Sequence, residues 1–318
     1  MRVLVIGSNG FVGRSIALHA CALGCDVFGM GRTQLSSSAG TTYVQGDRTH
    51  PDQVRQIAVD RMIDVVVDVI PMLAADTQPL LHALDGQIRQ YVMISSCDVY
   101  ANYELLHRRT TGTATLTAVN EDSPLRSTAY PYRYDEPRTK EDPDQYLDDY
   151  DKIPIEIAVQ QLASAWTILR LPMIYGPGDK QRRFRWAIAP MLRNHETLTI
   201  PRTWANWQST YGYIENVGAA VAATLGNPSA YNRVFNVAEE TSISQLGWAK
   251  KLAAACVWQG TIELTDDPRD SFHKRISNLD LSVPLKIDGS RHRELLSFSD
   301  VVDENTALQQ TIASETLN

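Results

Sequence analysis

The sequence predicts an α/β fold: a doubly wound parallel sheet with a smaller C-terminal α+β substrate lobe. Three observations carry this expectation. Strand-length apolar runs alternate with helix-patterned stretches from the N-terminus to about residue 175, the pattern of parallel strands joined by crossover helices. Those runs are nearly continuous, as in Met62 to Ile70, which suits strands covered on both faces. Beyond residue 175 the alternation loosens. The expected boundaries are therefore 1–175 for the sheet domain and 176–318 for the lobe, some of whose segments return to the first domain. Residues 101–149 form a long irregular insertion near the site.

Val3-Leu4-Val5-Ile6 is the first strand, and Gly7-Ser8-Asn9-Gly10-Phe11-Val12-Gly13 turns from it into a helix that carries Ser15 to Ala20. A glycine turn between strand and helix lets the backbone approach a pyrophosphate, and the helix N-terminus offers free N–H groups and a positive dipole end. Gly7 makes the tight turn, Gly10 removes a side chain where phosphates would sit, and Gly13 lets helix and strand pack closely. The spacing is G-x-x-G-x-x-G. Asn9, Phe11 and Val12 join the three glycines as candidate cofactor-binding positions.

The second strand, Asp26 to Met30, ends at Gly31-Arg32-Thr33. An acidic residue there would hydrogen-bond a ribose 2′-hydroxyl, whereas an arginine favours a 2′-phosphate. Arg32 therefore points to NADP, with NAD as the alternative. Thr42 to Asp47 is the third strand, with Asp47 placed to reach the adenine edge, and Pro51 opens the next helix. The fourth strand, Met62 to Ile70, stops at Pro71, and a helix follows through Leu80 to Leu84. Tyr91 to Ser96 is the fifth strand. Gly7, Arg32, Asp47 and Ser96 all fall at carboxyl ends of strands, where ligands bind in such sheets.

Residues 101–149 are rich in proline, tyrosine and charge, and a connection of that length is more often functional than idle. The helix from about Lys152 to Ala163 carries Ile155, Ala158, Val159 and Leu162 at helical spacing, and Pro154 fixes its start near Asp151. Thr167 to Pro172 is the sixth strand. In the lobe, helices are expected at Val217–Leu225 and Ser242–Ala255, the latter capped by Ser242 or Ser244, and a strand at Val234–Val237.

With 318 residues, 43% apolar and 21% charged, the composition is that of an ordinary globular protein. The net charge of −7 argues against a general nucleic-acid or anionic-membrane surface. The four cysteines, Cys21, Cys25, Cys97 and Cys256, show no metal-ligand spacing, so no metal is expected. A reduced cytoplasmic setting fits, since no signal-peptide pattern or membrane-length apolar run is present.

Taken together, GSNGFVG (7–13), Gly46-Asp47, SSCDVY (95–100), RLPMIYGPGD (170–179), YGYIENVGAAV (211–221), FNVAEETSIS (235–244) and DGSRHRELL (288–296) resemble the extended short-chain dehydrogenase/reductase superfamily, in its NAD-dependent epimerase/dehydratase branch. The resemblance implies a Rossmann domain holding NAD(P), with a small hydroxyl- or carbonyl-bearing substrate, such as a sugar or nucleotide sugar, between it and the lobe. It also implies oxidoreductase or epimerase chemistry through a Ser, a Tyr and a Lys, the last two as Tyr-x-x-x-Lys. Ser96 matches the serine and Lys152 the lysine, with Glu156 four residues on, where the family often has Glu; the resemblance implies that Lys152 also binds the cofactor, holding its nicotinamide ribose. The tyrosine position is Asp148.

Tyr150 lies two residues before Lys152, and on one helix residues two apart point about 200° from each other. Because Pro154 starts the helix near Asp151, Tyr150 is free to turn inward. Three readings stand: Tyr150 is a displaced acid/base, Asp148 has taken over the role, or the fold serves as a non-redox NAD(P)-binding regulatory or interaction protein. Atypical members of the superfamily that lack the tyrosine include NADP sensors and RNA-associated proteins, and the acidic balance disfavours the RNA version. For substrate, Arg183 and Arg185 can grip a phosphate or carboxylate. Trp204, Trp207 and Tyr211 either wall the pocket or serve as packing aromatics, and Tyr132, with Tyr130 and Arg133, can lid the site. A homodimer is the expected assembly.

Overall fold

A computed structural model describes residues 1–33, 40–267 and 271–316. Strands β1 (Arg2–Ile6), β2 (Asp26–Gly31), β3 (Thr41–Gln45), β4 (Val65–Asp68), β5 (Gln90–Ser96) and β6 (Ala165–Leu171) lie in one seven-stranded sheet. Its order from one edge is Arg233–Asn236, β6, β5, β4, β1, β2, β3, and every pairing is parallel. The edge strand Arg233–Asn236 comes from beyond residue 176. The winding reverses between β1 and β4, so the crevice outside their carboxyl ends is the natural ligand position.

The apolar runs serve both faces at once. Val3 and Val5 join one buried cluster with Ile16, Val27, Val65 and Val67. Leu4 and Ile6 join the other with Phe28, Met30, Val66 and Leu80. Successive side chains along a strand point to opposite faces, so a strand covered twice must be apolar at every position. Helix α1 (Phe11–Ala22) packs on the first face against the helix Ile214–Ala222; α2 (Pro51–Asp60), α3 (Ala74–Leu84) and α5 (Lys152–Val159) cover the second.

Several boundaries move. The insertion is not wholly irregular: α4 (Ala101–Leu106) follows Tyr100, and a single 3₁₀ turn spans Gln145–Asp148. Helix α5 ends at Val159 rather than Ala163. The helix expected from Ser242 begins at Gln245, with the Ser244 hydroxyl accepting from the Gly247 N–H at 3.1 Å. The lobe contains a parallel strand pair, Thr197–Pro201 with Thr261–Thr265, and a terminal helix Glu304–Thr316. No helix among the described residues is long and apolar enough to cross a membrane.

Candidate functional site

The glycine loop is held by its own backbone. Gly7 sits at φ +85°, where glycine alone is unstrained, and its N–H donates to the Met30 carbonyl at 3.0 Å. The Gly10 N–H donates to the Gly7 carbonyl at 3.0 Å. A Cβ on Gly13 would stand 2.2 Å from that same oxygen, so α1 can approach the turn this closely only without a side chain there. A cavity of about 830 Å³ opens beside the loop, lined by Asn9, Gly10, Phe11 and Val12 and faced by Arg183. A bare backbone at a helix N-terminus beside an open cavity fits a dinucleotide pyrophosphate.

The β2–β3 end carries the groups expected to meet an adenosine. Arg32 is exposed and, with Asp47 and His50, borders a second cavity of about 520 Å³. The Asp47 carboxylate accepts from the Thr49 N–H at 3.0 Å and hydroxyl at 2.9 Å, which holds its pKa below the usual carboxylate value. Next to it Arg48 turns inward and donates to Asp68 at 2.6 Å, tying the β3 loop to the end of β4.

At the carboxyl end of β5 the candidate proton groups converge. Asp151 caps α5 in an extended conformation, φ −159°, with its carboxylate accepting from the Ile153 N–H at 3.1 Å. Residues on either side of an extended residue share a face, and that geometry overcomes the two-residue spacing. Tyr150 turns inward, with the Lys152 Nζ 5.6 Å from its ring centre. The Tyr150 hydroxyl donates to Asp98 Oδ2 at 2.9 Å, and the Ser96 hydroxyl, which accepts from the Asp98 N–H at 3.2 Å, lies beside the same pair. Lys152 Nζ donates to the Pro71 carbonyl at 2.8 Å and to the Ile94 carbonyl at 3.0 Å. Burial depresses its pKa to about 8, against the pull of Asp68 and Asp98. Burial first, and then the Asp98 charge, pushes the Tyr150 phenol well above its ordinary value.

The segment leading into α5 is clamped by nested arginine–aspartate pairs: Arg126 with Asp151, Arg133 with Asp149 and Arg138 with Asp148. Asp148 thus belongs to the clamp. Its carboxylate takes the Arg138 guanidinium and, at 2.7 Å, the Arg138 N–H. Of the two proton carriers that the spacing left open, Asp148 is carried by the 3₁₀ turn into the connection, whereas Tyr150 lies beside Ser96 and Lys152. The underside of the site is braced by Glu156, which receives Arg170 at 2.7 Å and the Ser95 hydroxyl.

A family model described as the NAD dependent epimerase/dehydratase family matches residues 3–238. The chain belongs to that family. Among curated proteins, the chloroplast stem-loop binding protein of 41 kDa b from Arabidopsis thaliana is 23% identical over 270 residues, 80% of this chain. The chain spans about 63% of that relative's length. Among solved structures, UDP-glucuronic acid 4-epimerase from Bacillus cereus, in complex with UDP-glucuronic acid and NAD, superposes with a TM-score of 0.68 at 19% identity, covering 100% of both chains. UDP-glucose 4-epimerase from Thermotoga maritima, with UDP-glucose, gives 0.69 at 15% identity, again over 100% of both. dTDP-glucose 4,6-dehydratase from Bacillus anthracis, with NAD, gives 0.67 at 14%, covering 100% of this chain and 97% of that one. At these identities the likeness is one of fold.

Within this epimerase/dehydratase framework the expected substrate residues separate. Arg183 faces the 830 Å³ cavity, its guanidinium held by the Ile174 carbonyl at 2.8 Å and by Asp179 at 3.0 Å. Tyr132 covers the proton groups: its hydroxyl donates to Asp98 at 2.9 Å and its ring meets that of Tyr150 edge-on at 5.1 Å. The other three find their partners within the protein. Arg185 donates to Glu315 on the terminal helix at 3.3 Å, so it fastens that helix. Tyr211 is fully buried among Tyr175, Phe184 and Trp248, with its hydroxyl toward Gln245. Trp204 stacks on Trp207 at 5.0 Å and meets Trp186 edge-on. Aromatics at these spacings are core of the lobe.

Asp98 is the residue the motif reading missed. It lies two positions after Ser96 within SSCDVY, and a charged residue among apolar neighbours just past a strand end was the available signal.

Proposed function

We propose that the protein is an NAD(P)-dependent epimerase, dehydratase or reductase acting on a small hydroxyl- or carbonyl-bearing substrate, with nucleotide sugars the first class to test. The observation that carries this reading is the convergence of Tyr150, Ser96 and Lys152 at the carboxyl end of β5, despite the broken motif spacing. UDP-sugars and NAD accompany the structural neighbours, which supports the substrate class. Gly7 to Gly13 would hold the pyrophosphate and Asp47 the adenine edge. Arg32 would hold a 2′-phosphate, which favours NADP over NAD. A nicotinamide dinucleotide, when bound, supplies the hydride acceptor or donor.

The chain's own residues handle the oxygen and the proton. Ser96 orients the reacting oxygen, and Tyr150 exchanges a proton with it. Lys152 adds positive charge beside the phenol. Arg183 grips an anionic part of the substrate from the cavity wall. Four free thiols fit a reducing, cytoplasmic setting, and a homodimer is the expected assembly.

A second reading, a cofactor-binding regulatory protein without hydride transfer, is favoured by one observation. Tyr150 is only 6% exposed, and its proton and two of the three on Lys152 are already engaged within the protein. Calorimetric titration with NADP and NAD comes first. Micromolar binding of NADP, tighter than of NAD, is expected, and failure of both to bind overturns either reading. Hydride exchange is then followed over a panel of nucleotide sugars and small carbonyl compounds, with Lys152→Ala as the control. Exchange that collapses in the variant supports the enzyme, and binding without exchange supports the regulator.

A further inference from the structure

Among the described residues, seven carboxylates are buried, and six of them are neutralised in an evident way. Asp68, Glu121, Asp148, Asp151 and Glu156 each meet an arginine: Arg48, Arg291, Arg138, Arg126 and Arg170 respectively. Glu104 instead accepts from the N–H and hydroxyl groups of both Ser127 and Thr128. Asp98, 2% exposed, has no ion pair. Its Oδ2 accepts from two phenols, Tyr132 and Tyr150, each at 2.9 Å, while its Oδ1 is buried without a hydrogen-bond partner.

The neighbouring cations are spent elsewhere. Arg126 reaches only the Asp98 main-chain carbonyl, at 3.2 Å, and gives its remaining donors to Asp151 and the Thr128 carbonyl. Lys152 is bound by two main-chain carbonyls. A buried carboxylate serving only as a strut is normally paired, because an unpaired buried charge is costly. Asp98 keeps one carboxylate oxygen, Oδ1, without a partner, next to the phenol that lies beside Ser96 and Lys152.

We propose that Asp98 is a positioning residue that holds the Tyr150 proton and is its terminal acceptor. The proposal rests on the reading of Tyr150 as the proton carrier. As a substrate hydroxyl gives its proton to the Tyr150 oxygen, the phenol O–H bond breaks and that proton forms a new O–H bond at Asp98 Oδ2. The electron pair of the substrate O–H bond stays on the substrate oxygen, and in the reverse direction the same two protons move back. Tyr132, donating to the same oxygen, stabilises the carboxylate and so tunes how readily it accepts. The titratable and charged groups facing this pair are Tyr103, Tyr132, Cys97, Arg126 and Lys152.

The test is the titration of Tyr150 in the full-length chain without cofactor, by NMR of tyrosine labelled at Cζ and assigned with Tyr150→Phe. In Asp98→Asn the Tyr150 phenol should titrate at least one pH unit lower than in the parent. Should that variant not fold, Tyr132→Phe, which removes only the second donor, should move it upward. A Tyr150 titration that stays in place in whichever variant folds overturns the proposal, whatever the catalytic outcome. If hydride exchange is found, Asp98→Asn should also shift the pH profile of kcat/KM, and an unchanged profile likewise overturns it. A displaced Tyr150 titration with no exchange on any substrate sinks the enzyme reading and with it the role of Asp98 as proton acceptor, and leaves only the hydrogen-bonded Asp98–Tyr150 pair standing.

Discussion

Between Gly7 and Gly13 the protein builds its surface from backbone, whereas between Ser96 and Lys152 it builds it from side chains. The first region needs the absence of atoms: Gly7 at φ +85° and Gly13 with a carbonyl 2.2 Å from where a Cβ would be. It contains no titratable side chain. The second region needs groups present and bonded to one another across long stretches of chain, as Tyr150 is to Asp98 over 52 residues. The contrast teaches where each is vulnerable. A backbone site fails by steric intrusion and is indifferent to pH, while a side-chain site tolerates changes of shape and responds to charge.

The largest expected effect tests the steric half of that comparison. Gly13→Val should cost more than about 4 kcal/mol, beyond the range of ordinary substitutions, because the clashing partner is backbone and cannot swing away. Urea unfolding of whatever soluble protein remains reads it. Gly10→Ala is the paired control. At Gly10 the φ is −77° and a Cβ would lie 3.3 Å from the Gly7 carbonyl, so stability should change by less than about 1 kcal/mol. Dinucleotide affinity should nevertheless fall about tenfold, equal to roughly 1.4 kcal/mol. Parental affinity in Gly10→Ala would mean that the loop is not the cradle.

A middle-sized effect tests the charge half. The Lys152 pKa falls from 10.5 in the unfolded chain to about 8 in the fold, chiefly through burial. Between those values the unfolded state binds more protons than the native one, so the Lys152 contribution to stability rises with pH across that window. Below pH 8 the native state carries the full cost of a buried ammonium. Lys152→Met should therefore be more stable than the parent at pH 7, by roughly 1–3 kcal/mol once the two freed carbonyls are discounted. The gap should close between pH 8 and 10.5. Denaturant melts of both proteins at pH 7, 9 and 10 read it directly. A variant less stable than its parent at every pH would show that the two carbonyl bonds outweigh the burial of charge.

The same contrast explains what was legible in the sequence. The glycine turn, the flanking strands and the sheet are local patterns. Period, φ requirement and apolar continuity are written within a dozen residues, and β1, β2, β5 and α2 begin within a residue of where the pattern puts them. Lys152 was legible through the resemblance, with Glu156 four residues on, and Pro154 limited where its helix can start. Asp98 was not, because its role comes from Tyr132 and Tyr150 arriving from 34 and 52 residues away. The sequence left Tyr211 and Trp204 open between pocket wall and core for the complementary reason: an aromatic in the core and one lining a pocket look alike until the packing partners are known. Arg185 likewise finds its partner, Glu315, 130 residues later.

The smallest expected effect decides between the two candidate proton carriers that sequence spacing left open. Asp148 holds Arg138 in the clamp over the site, and Arg138 is largely buried, its side chain 12% exposed. Asp148→Asn keeps the shape and removes the charge, so it should cost about 1–2 kcal/mol, the worth of one charge-assisted hydrogen bond. Amide hydrogen exchange should rise in residues 132–148, where the clamp is loosened, and stay unchanged in α5. The Tyr150 titration should remain that of the parent, because its partner is Asp98 and not Asp148. Tyr150→Phe should do the opposite: it leaves the Arg138–Asp148 pair intact and takes away the phenol that Asp98 holds. If Asp148→Asn moves the Tyr150 titration as far as Asp98→Asn does, the clamp and the proton pair are one electrostatic unit. The division between a scaffold that positions and a pair that carries the proton would then have to be redrawn around Asp98 and Asp148 together.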